Sequence, residues 1–398
     1  MPRPTPSAPP RAHVAVIGVP AISHVLPSLE IVRELVRRGH RVTVANDPLL
    51  ADVLTATGAE FVPFSSRLPP VRKAAWPQEP IAGMTEFLDD ARRVLPQLRA
   101  AYGNDPADLY LYDIGAYAAR ALAEAQDRPL LQLSPTFVGW EGYEEEVAAA
   151  LWRLPGADAY RAAFTAWLRE SGAKTLDMDA FVGPPARSLA LVPRAMQPHA
   201  EKVNTDVVTF VGPCSGERAR RETWRRPEDA ETVVLVSLGS AYTRQPDFYR
   251  RCLAAFGGLP GLHLVLQIGA DVDPAELGPL PPHVEAHSWV PQLAVLEQAD
   301  LFVTHAGMGG CAEGLLTGTP MIAVPQAAEQ FVNADRLVAL GVARRLDTDE
   351  ADVTRLRAAL TALSGEEVTR RCARLREQTR AEGGAPRAAG LIEELLPR

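Results

Sequence analysis

Apolar runs of five or six residues recur along the chain, each followed by a polar turn and then by apolar positions at helical spacing. The run at 14–19, "VAVIGV", reads as a strand. After it, "PSLEIVRELVRRG" (27–39) places Leu29, Val32 and Val36 on one helical face and ends on Gly39. A further strand, "RVTVA", follows at 41–45. Strand, helix, strand in that order predicts a βαβ unit and hence a parallel sheet. The runs at 108–113 and 129–135 extend the same half. A second series starts at 232–240 and continues through 262–269, 284–291, 301–307, 321–325 and 342–346, with helical stretches such as 330–341 between.

The pattern therefore predicts an α/β protein made of two doubly wound, Rossmann-like domains facing each other across a cleft, with ligands at the carboxyl ends of the strands. A length of 398 residues is too much for one ordinary core and agrees with two domains. The expected boundaries are 1–212 for the first domain, with 1–11 a disordered proline-rich leader, and a charged linker at 213–231. The second domain is expected at 232–375. The last helices, 376–398, are expected to cross back to the first domain.

Charge changes the list of partners. A formal net charge of −8 argues against nucleic acid or an anionic membrane, both of which need clustered basic surface. The arginine-rich stretches around 218–226 and 370–376 are local and read as solvated surface. No apolar run is long enough to span a bilayer. Cys214, Cys252, Cys311 and Cys372 form no CxxC pair, which predicts free thiols in a reducing, cytoplasmic compartment.

Candidate chemistry sits at the strand ends. After the first strand, "GVPAISHVLPSLE" (18–30) lacks the G-x-G-x-x-G of a dinucleotide turn, and the chain has no P-loop. It offers His24 instead, a candidate general base, with a packed or capping histidine as the alternative. Asp113 ends the neighbouring "DLYLYD" strand. An acid on the far nitrogen of a histidine fixes its tautomer and stabilises the imidazolium. With no G-x-S-x-G serine in the chain, such a dyad suits deprotonation of a bound alcohol; alternatively Asp113 caps the helix that follows.

In the second half, "SLGS" (237–240) and "HAGMGG" (305–310) are glycine turns after strands, and the second opens a helix. Glycine lets a diphosphate approach the backbone, and a helix N-terminus supplies unbonded N–H groups and positive potential. Glu313 lies one turn on, placed to accept from ribose hydroxyls, and Trp289 offers a flat face for a base. Two D-x-D stretches, 177–179 and 271–273, follow no convincing strand and are not expected to hold a metal.

Taken together, "WVPQLAVLEQADLFVTHAGMGGCAEGLLTGTPMIAVPQAAEQFVNADRL" (289–337) resembles the donor-binding signature of family-1 glycosyltransferases of the GT-B fold. The likeness is to actinomycete macrolide enzymes, and 24–43, 133–147 and 198–203 share it. The resemblance implies an inverting, metal-independent enzyme that moves glucose from UDP-glucose, a co-substrate, to a macrolide or similar hydrophobic acceptor for inactivation or self-resistance. A biosynthetic enzyme using a TDP-deoxysugar is the alternative, and a non-catalytic nucleotide-sugar-binding protein a further one. The resemblance makes His24 the base and Asp113 its partner. Trp289 would stack on uracil, with the Val290 backbone and Gln292 addressing the nucleoside. Ser240, His305, Gly309 and Gly310 would hold the diphosphate, Glu313 the ribose, and Glu329 and Gln330 the sugar hydroxyls. Trp76, Phe137 and Trp140 are candidates for the acceptor side. The chain departs from the subgroup at Ser23, where glycine is usual before the base, and at Glu329, where aspartate is usual.

Overall fold

Two parallel sheets organise the molecule. The computed structural model describes residues 12–69, 77, 79–215, 221, 223–239, 243–327 and 329–397. In the first sheet the strands are β1 (His13–Ile17), β2 (Arg41–Asn46), β3 (Glu60–Pro63), β4 (Leu109–Asp113), β5 (Leu130–Ser134), β6 (Ser188–Ala190) and β7 (Val208–Phe210), in the order β3-β2-β1-β4-β5-β6-β7. β1 pairs in parallel with both β2 and β4, in registers that set Ile17 beside Ala45 and Tyr112. The order reverses at β1, and a reversal of this kind leaves a crevice beyond the carboxyl ends of the central strands.

The second sheet comprises β8 (Thr232–Ser237), β9 (Leu262–Gln267), β10 (Val284–His287), β11 (Leu301–Thr304), β12 (Met321–Ala323) and β13 (Ala343–Arg345), in the order β10-β9-β8-β11-β12-β13. All five of its pairings are parallel, and β8 and β11 are the central neighbours at its own switch point. Near-continuous apolar runs suit both sheets, because a parallel sheet is covered by helices on both faces. Val233 to Val236 and Leu264 to Leu266 are wholly buried.

The units are divided differently from the boundaries expected above. The first holds Met1–Leu191, Glu201–Thr209 and Ala385–Arg398; the second holds Val192–Ala200 and Phe210–Gly384. From the stretch expected as a linker, Trp224 and Arg226 are tied to the second unit: Gln298 Nε2 donates to the Trp224 carbonyl at 2.7 Å, and Arg226 Nη1 donates to the Gln298 carbonyl at 3.1 Å. Only the end of 376–398 joins the first unit. There Glu393 on the helix Gly384–Glu393 accepts from Arg38 at 2.6 Å and lies 3.0 Å from His40 Nε2. The helix after β1 runs over Leu29–Arg37 and buries Leu29, Ile31, Val32 and Leu35, leaving Val36 only half-buried.

Candidate functional site

At the switch point of the first sheet the chain leaves β1 through Gly18 to Ala21 and enters the short helix Ile22–Val25, which carries His24. Asn46, the last residue of β2 and almost wholly buried, donates to the carbonyls of Gly18 and Val19, both at 3.4 Å. A Cβ on Gly18 would stand 3.2 Å from the Asn46 amide nitrogen, so the small residue keeps this contact open. Asp113 closes β4, next to β1, and its Oδ2 lies 2.9 Å from His24 Nδ1.

The other carboxylate oxygen of Asp113 accepts from the Gly115 N–H at 2.8 Å. A carboxylate can only accept, so Nδ1 carries a proton, and in the neutral ring Nε2 carries the lone pair. Asp113 is 7% exposed and His24 26%, which places the acid inward and the base outward. Val16, Val44 and Leu133 line the small cavity that both residues border, giving the pair an apolar floor. One oxygen of Asp113 thus holds the Gly115 turn ahead of the helix Tyr117–Ala125, which has no side-chain cap, and the other contacts His24.

Phe137 and Trp140 follow β5 at the same edge of the sheet, and both are half-buried. Trp140 meets the Tyr143 ring edge-on at 4.9 Å and donates to Glu146 at 3.3 Å. Trp76 and Ser240 lie outside the described residues.

In the second unit, His305 follows β11 and is enclosed by backbone. A Cβ on Gly239 would come within 2.6 Å of its ring, and one on Gly307 within 2.3 Å. Gly239 also takes a φ of +75°, whereas Gly307 has an ordinary φ of −64°, so close approach alone requires the second glycine. Burial pulls the His305 pKa down to about 4, against the backbone of Ser237, which raises it. The ring is therefore neutral near pH 7 and can donate one hydrogen bond but adds no charge.

Gly307 caps the helix Met308–Thr317, in which Cys311 is the first amide to reach back, to the Gly307 carbonyl at 3.0 Å. The N–H groups of Met308, Gly309 and Gly310 precede that bond and have no partner within the helix. Open space surrounds the Cβ position of Gly309. Amides, helix dipole and a neutral histidine are together suited to receive an anion.

Trp289 is 64% exposed, unusual for so large an apolar group. Gln292 Nε2 donates to Glu313 Oε2 at 2.7 Å, so two residues expected to address the nucleoside orient one another. The Val290 N–H is engaged by Gln267 Oε1 at 3.1 Å. Gln330 Oε1 accepts from the N–H groups of Gln326 and Ala327 at 2.8 and 3.2 Å, holding the turn after β12, while Glu329 is exposed. Three of the four D-x-D aspartates have structural partners: Asp177 and Asp273 cap short helices, and Asp179 pairs with Arg161.

Sequence reasoning missed three amides. Asn46 holds the turn that leads to His24. Gln267 bridges Ser237 Oγ (3.0 Å) and the Val290 N–H, tying the end of β8 to the turn after β10. Asn333 holds the Ala306 carbonyl. For Asn46 and Gln267 a signal exists, namely an amide closing an otherwise apolar strand at its carboxyl end.

Comparison with known proteins gives a consistent result. The model of the erythromycin biosynthesis protein CIII-like C-terminal domain matches residues 253–395. The chain is 55% identical to oleandomycin glycosyltransferase of Streptomyces antibioticus over 393 residues, covering 97% of this chain and 91% of that one. It is 31% identical to demethyllactenocin mycarosyltransferase of Streptomyces fradiae, covering 97% and 87%. The crystal structure of the glycotransferase of kitacinnamycin superposes with a TM-score of 0.89 at 52% identity, covering 98% of this chain and all of that one.

Proposed function

Since the chain belongs to the family-1 glycosyltransferases of the GT-B fold, we propose that it transfers glucose from UDP-glucose to a hydroxyl of a macrolide or related polyketide, with inversion. The observation that carries this reading is the 2.9 Å contact between His24 Nδ1 and Asp113 Oδ2, which fixes the lone pair on Nε2. His24 Nε2 takes the proton of the acceptor hydroxyl. The oxygen attacks the anomeric carbon from the face opposite the diphosphate, the bond from that carbon to the diphosphate oxygen breaks, and its electron pair leaves with UDP. Asp113 stabilises the imidazolium so formed.

The leaving diphosphate is met by the first amides of the Met308–Thr317 helix and by the neutral His305, with Trp289 stacked on the base and the Gln292–Glu313 pair at the ribose. Neutralisation by helix amides supports a mechanism without a metal. A likeness of 55% to an oleandomycin glycosyltransferase supports a macrolide acceptor. Phe137 and Trp140 are the described residues we assign to the acceptor. Four buried free cysteines support a cytoplasmic setting. Among the described residues no helix is long and apolar enough to cross a membrane.

A TDP-deoxysugar donor is the second reading, favoured by the likeness to a mycarosyltransferase. Incubation with UDP-glucose or TDP-sugars and a panel of macrolides and phenols, read by mass, separates the two. Product is expected with UDP-glucose. His24→Ala should lower transfer by at least 100-fold, the usual contribution of a general base being about 10²–10⁴. Near-wild-type transfer by that variant to a neutral alcohol sinks the mechanism.

A further inference from the structure

Among the described residues, three other than glycine have a left-handed backbone: Asp127, His199 and Ala306. Aspartate and histidine are residue types that tolerate this region, and alanine is not. Ala306, at a φ of +58°, sits between His305 and Gly307, in the middle of the turn assigned above to the diphosphate. A strained residue persists only where its surroundings over-determine it.

The surroundings do so here from both sides. The Ala306 N–H donates to Thr304 Oγ1 at 3.2 Å, and its carbonyl accepts from Asn333 Nδ2 at 2.9 Å. Thr304, Ala306 and Asn333 are all wholly buried. Asn333 lies on the helix Glu329–Ala339, three residues after Gln330, so the two amides share a face of that helix. Gln330 grips the turn after β12 and Asn333 the turn after β11. Asn333 Oδ1 finds no hydrogen-bond partner among the described residues. A buried amide with one end unsatisfied is costly to the fold, and what the fold obtains from it is the hold on Ala306.

We propose that Asn333 is a positioning residue for the donor: by holding Ala306 in its left-handed conformation it sets His305 and the first amides of the Met308–Thr317 helix for the diphosphate. This rests on the reading of that turn as the diphosphate receptor. An alanine at this position, unlike a glycine, gives the turn few other conformations once the hold is in place. Removing the hold lets the residue relax to negative φ and turns the amides away from one another.

The test compares UDP with uridine, which lacks the phosphates, by calorimetric titration of the full chain. Wild type should bind UDP more tightly than uridine. Asn333→Ala should weaken UDP at least tenfold and leave uridine within twofold. Adding Ala306→Gly, for which positive φ is unstrained, should return UDP affinity to within threefold of wild type. If Asn333→Ala does not fold, Asn333→Ser, whose hydroxyl is too short to span the gap, must lower the UDP-to-uridine ratio in the same direction. An unchanged ratio, equal loss of both ligands, or no recovery with Ala306→Gly overturns the assignment of Asn333. Equal affinity of wild type for UDP and uridine overturns the diphosphate receptor itself, and the proposal with it.

Discussion

The two switch-point sites are built from different parts of the chain. At the end of β1 and β4 the chemistry is carried by side chains: His24 and Asp113 in contact, the turn around them held by Asn46. Past β11 it is carried by backbone: three amides without helical partners, a neutral histidine enclosed by glycines, and a strained alanine gripped at both ends. The tasks proposed for the two sites account for the difference. Taking one proton needs a single lone pair at a defined nitrogen, which an imidazole oriented by a carboxylate supplies. Receiving a diphosphate needs several donors at close range around a concentrated charge, which helix amides supply only where side chains are absent. Strain accordingly sits in the second site.

If that division of labour holds, mutations in the two sites should separate transfer from binding. The largest effect is expected from Asp113→Asn. The neutral amide no longer selects the tautomer or stabilises the imidazolium, so kcat should fall at least tenfold, towards the roughly 10⁴-fold of the serine-protease precedent. UDP affinity should stay within twofold, and the pair of measurements is single-turnover transfer and UDP titration on the same protein. Unchanged transfer would reduce Asp113 to a cap for the Gly115 turn.

Next comes Gly307→Ala. Its backbone conformation suits alanine, and only the His305 ring, 2.3 Å from the new Cβ, objects. Overpacking of about 1–3 kcal/mol translates to roughly a five- to 150-fold loss of UDP affinity, while the protonation chemistry of the first unit should be untouched. UDP binding equal to wild type would show that the close approach of ring and backbone is dispensable.

The smallest effect concerns pH. A folded-state pKa of about 4 for His305, against 6.5 unfolded, means the unfolded chain binds the proton more readily between those values. The stability tied to the neutral ring is complete above pH 6.5 and is lost as pH falls towards 4. Because the ring is partly exposed, we discount the effect to about 1 kcal/mol, or roughly 2–4 °C in Tm. His305→Asn should therefore lose about that much less Tm than wild type between pH 7 and pH 5. Identical acid slopes would remove His305 from the account and leave the receptor to the amides alone.

Much of this comparison was legible before any coordinates. The central strands β1, β2, β4, β8, β9 and β11 are rich in apolar and β-branched residues, and the ordered alternation with helices leaves few topologies open. Strands at or next to the edges of the first sheet do not register in the sequence: Glu60–Pro63 ends on a proline, and Ser188–Ala190 and Val208–Phe210 are three residues each, too short for a period. The 23-residue helix Pro80–Tyr102 was hidden by its mixed face of charges and by Pro96 inside it. Glycine turns and the His24 and Asp113 positions could be read because strand ends are where a doubly wound fold puts its ligands.

By itself, the chain's order of apolar runs and turns determined two Rossmann-like halves, and residue type at the strand ends determined which groups stand there. Both are local properties, set by side-chain size, charge and backbone freedom over a few residues. Tertiary structure alone decided which nitrogen of His24 holds the lone pair, that His305 is neutral, and that Ala306 is held against its preference from 27 positions away. Each of these depends on the distance and burial of a group remote in sequence, and no local pattern encodes a hydrogen bond between side chains and backbone brought together only when the sheet closes.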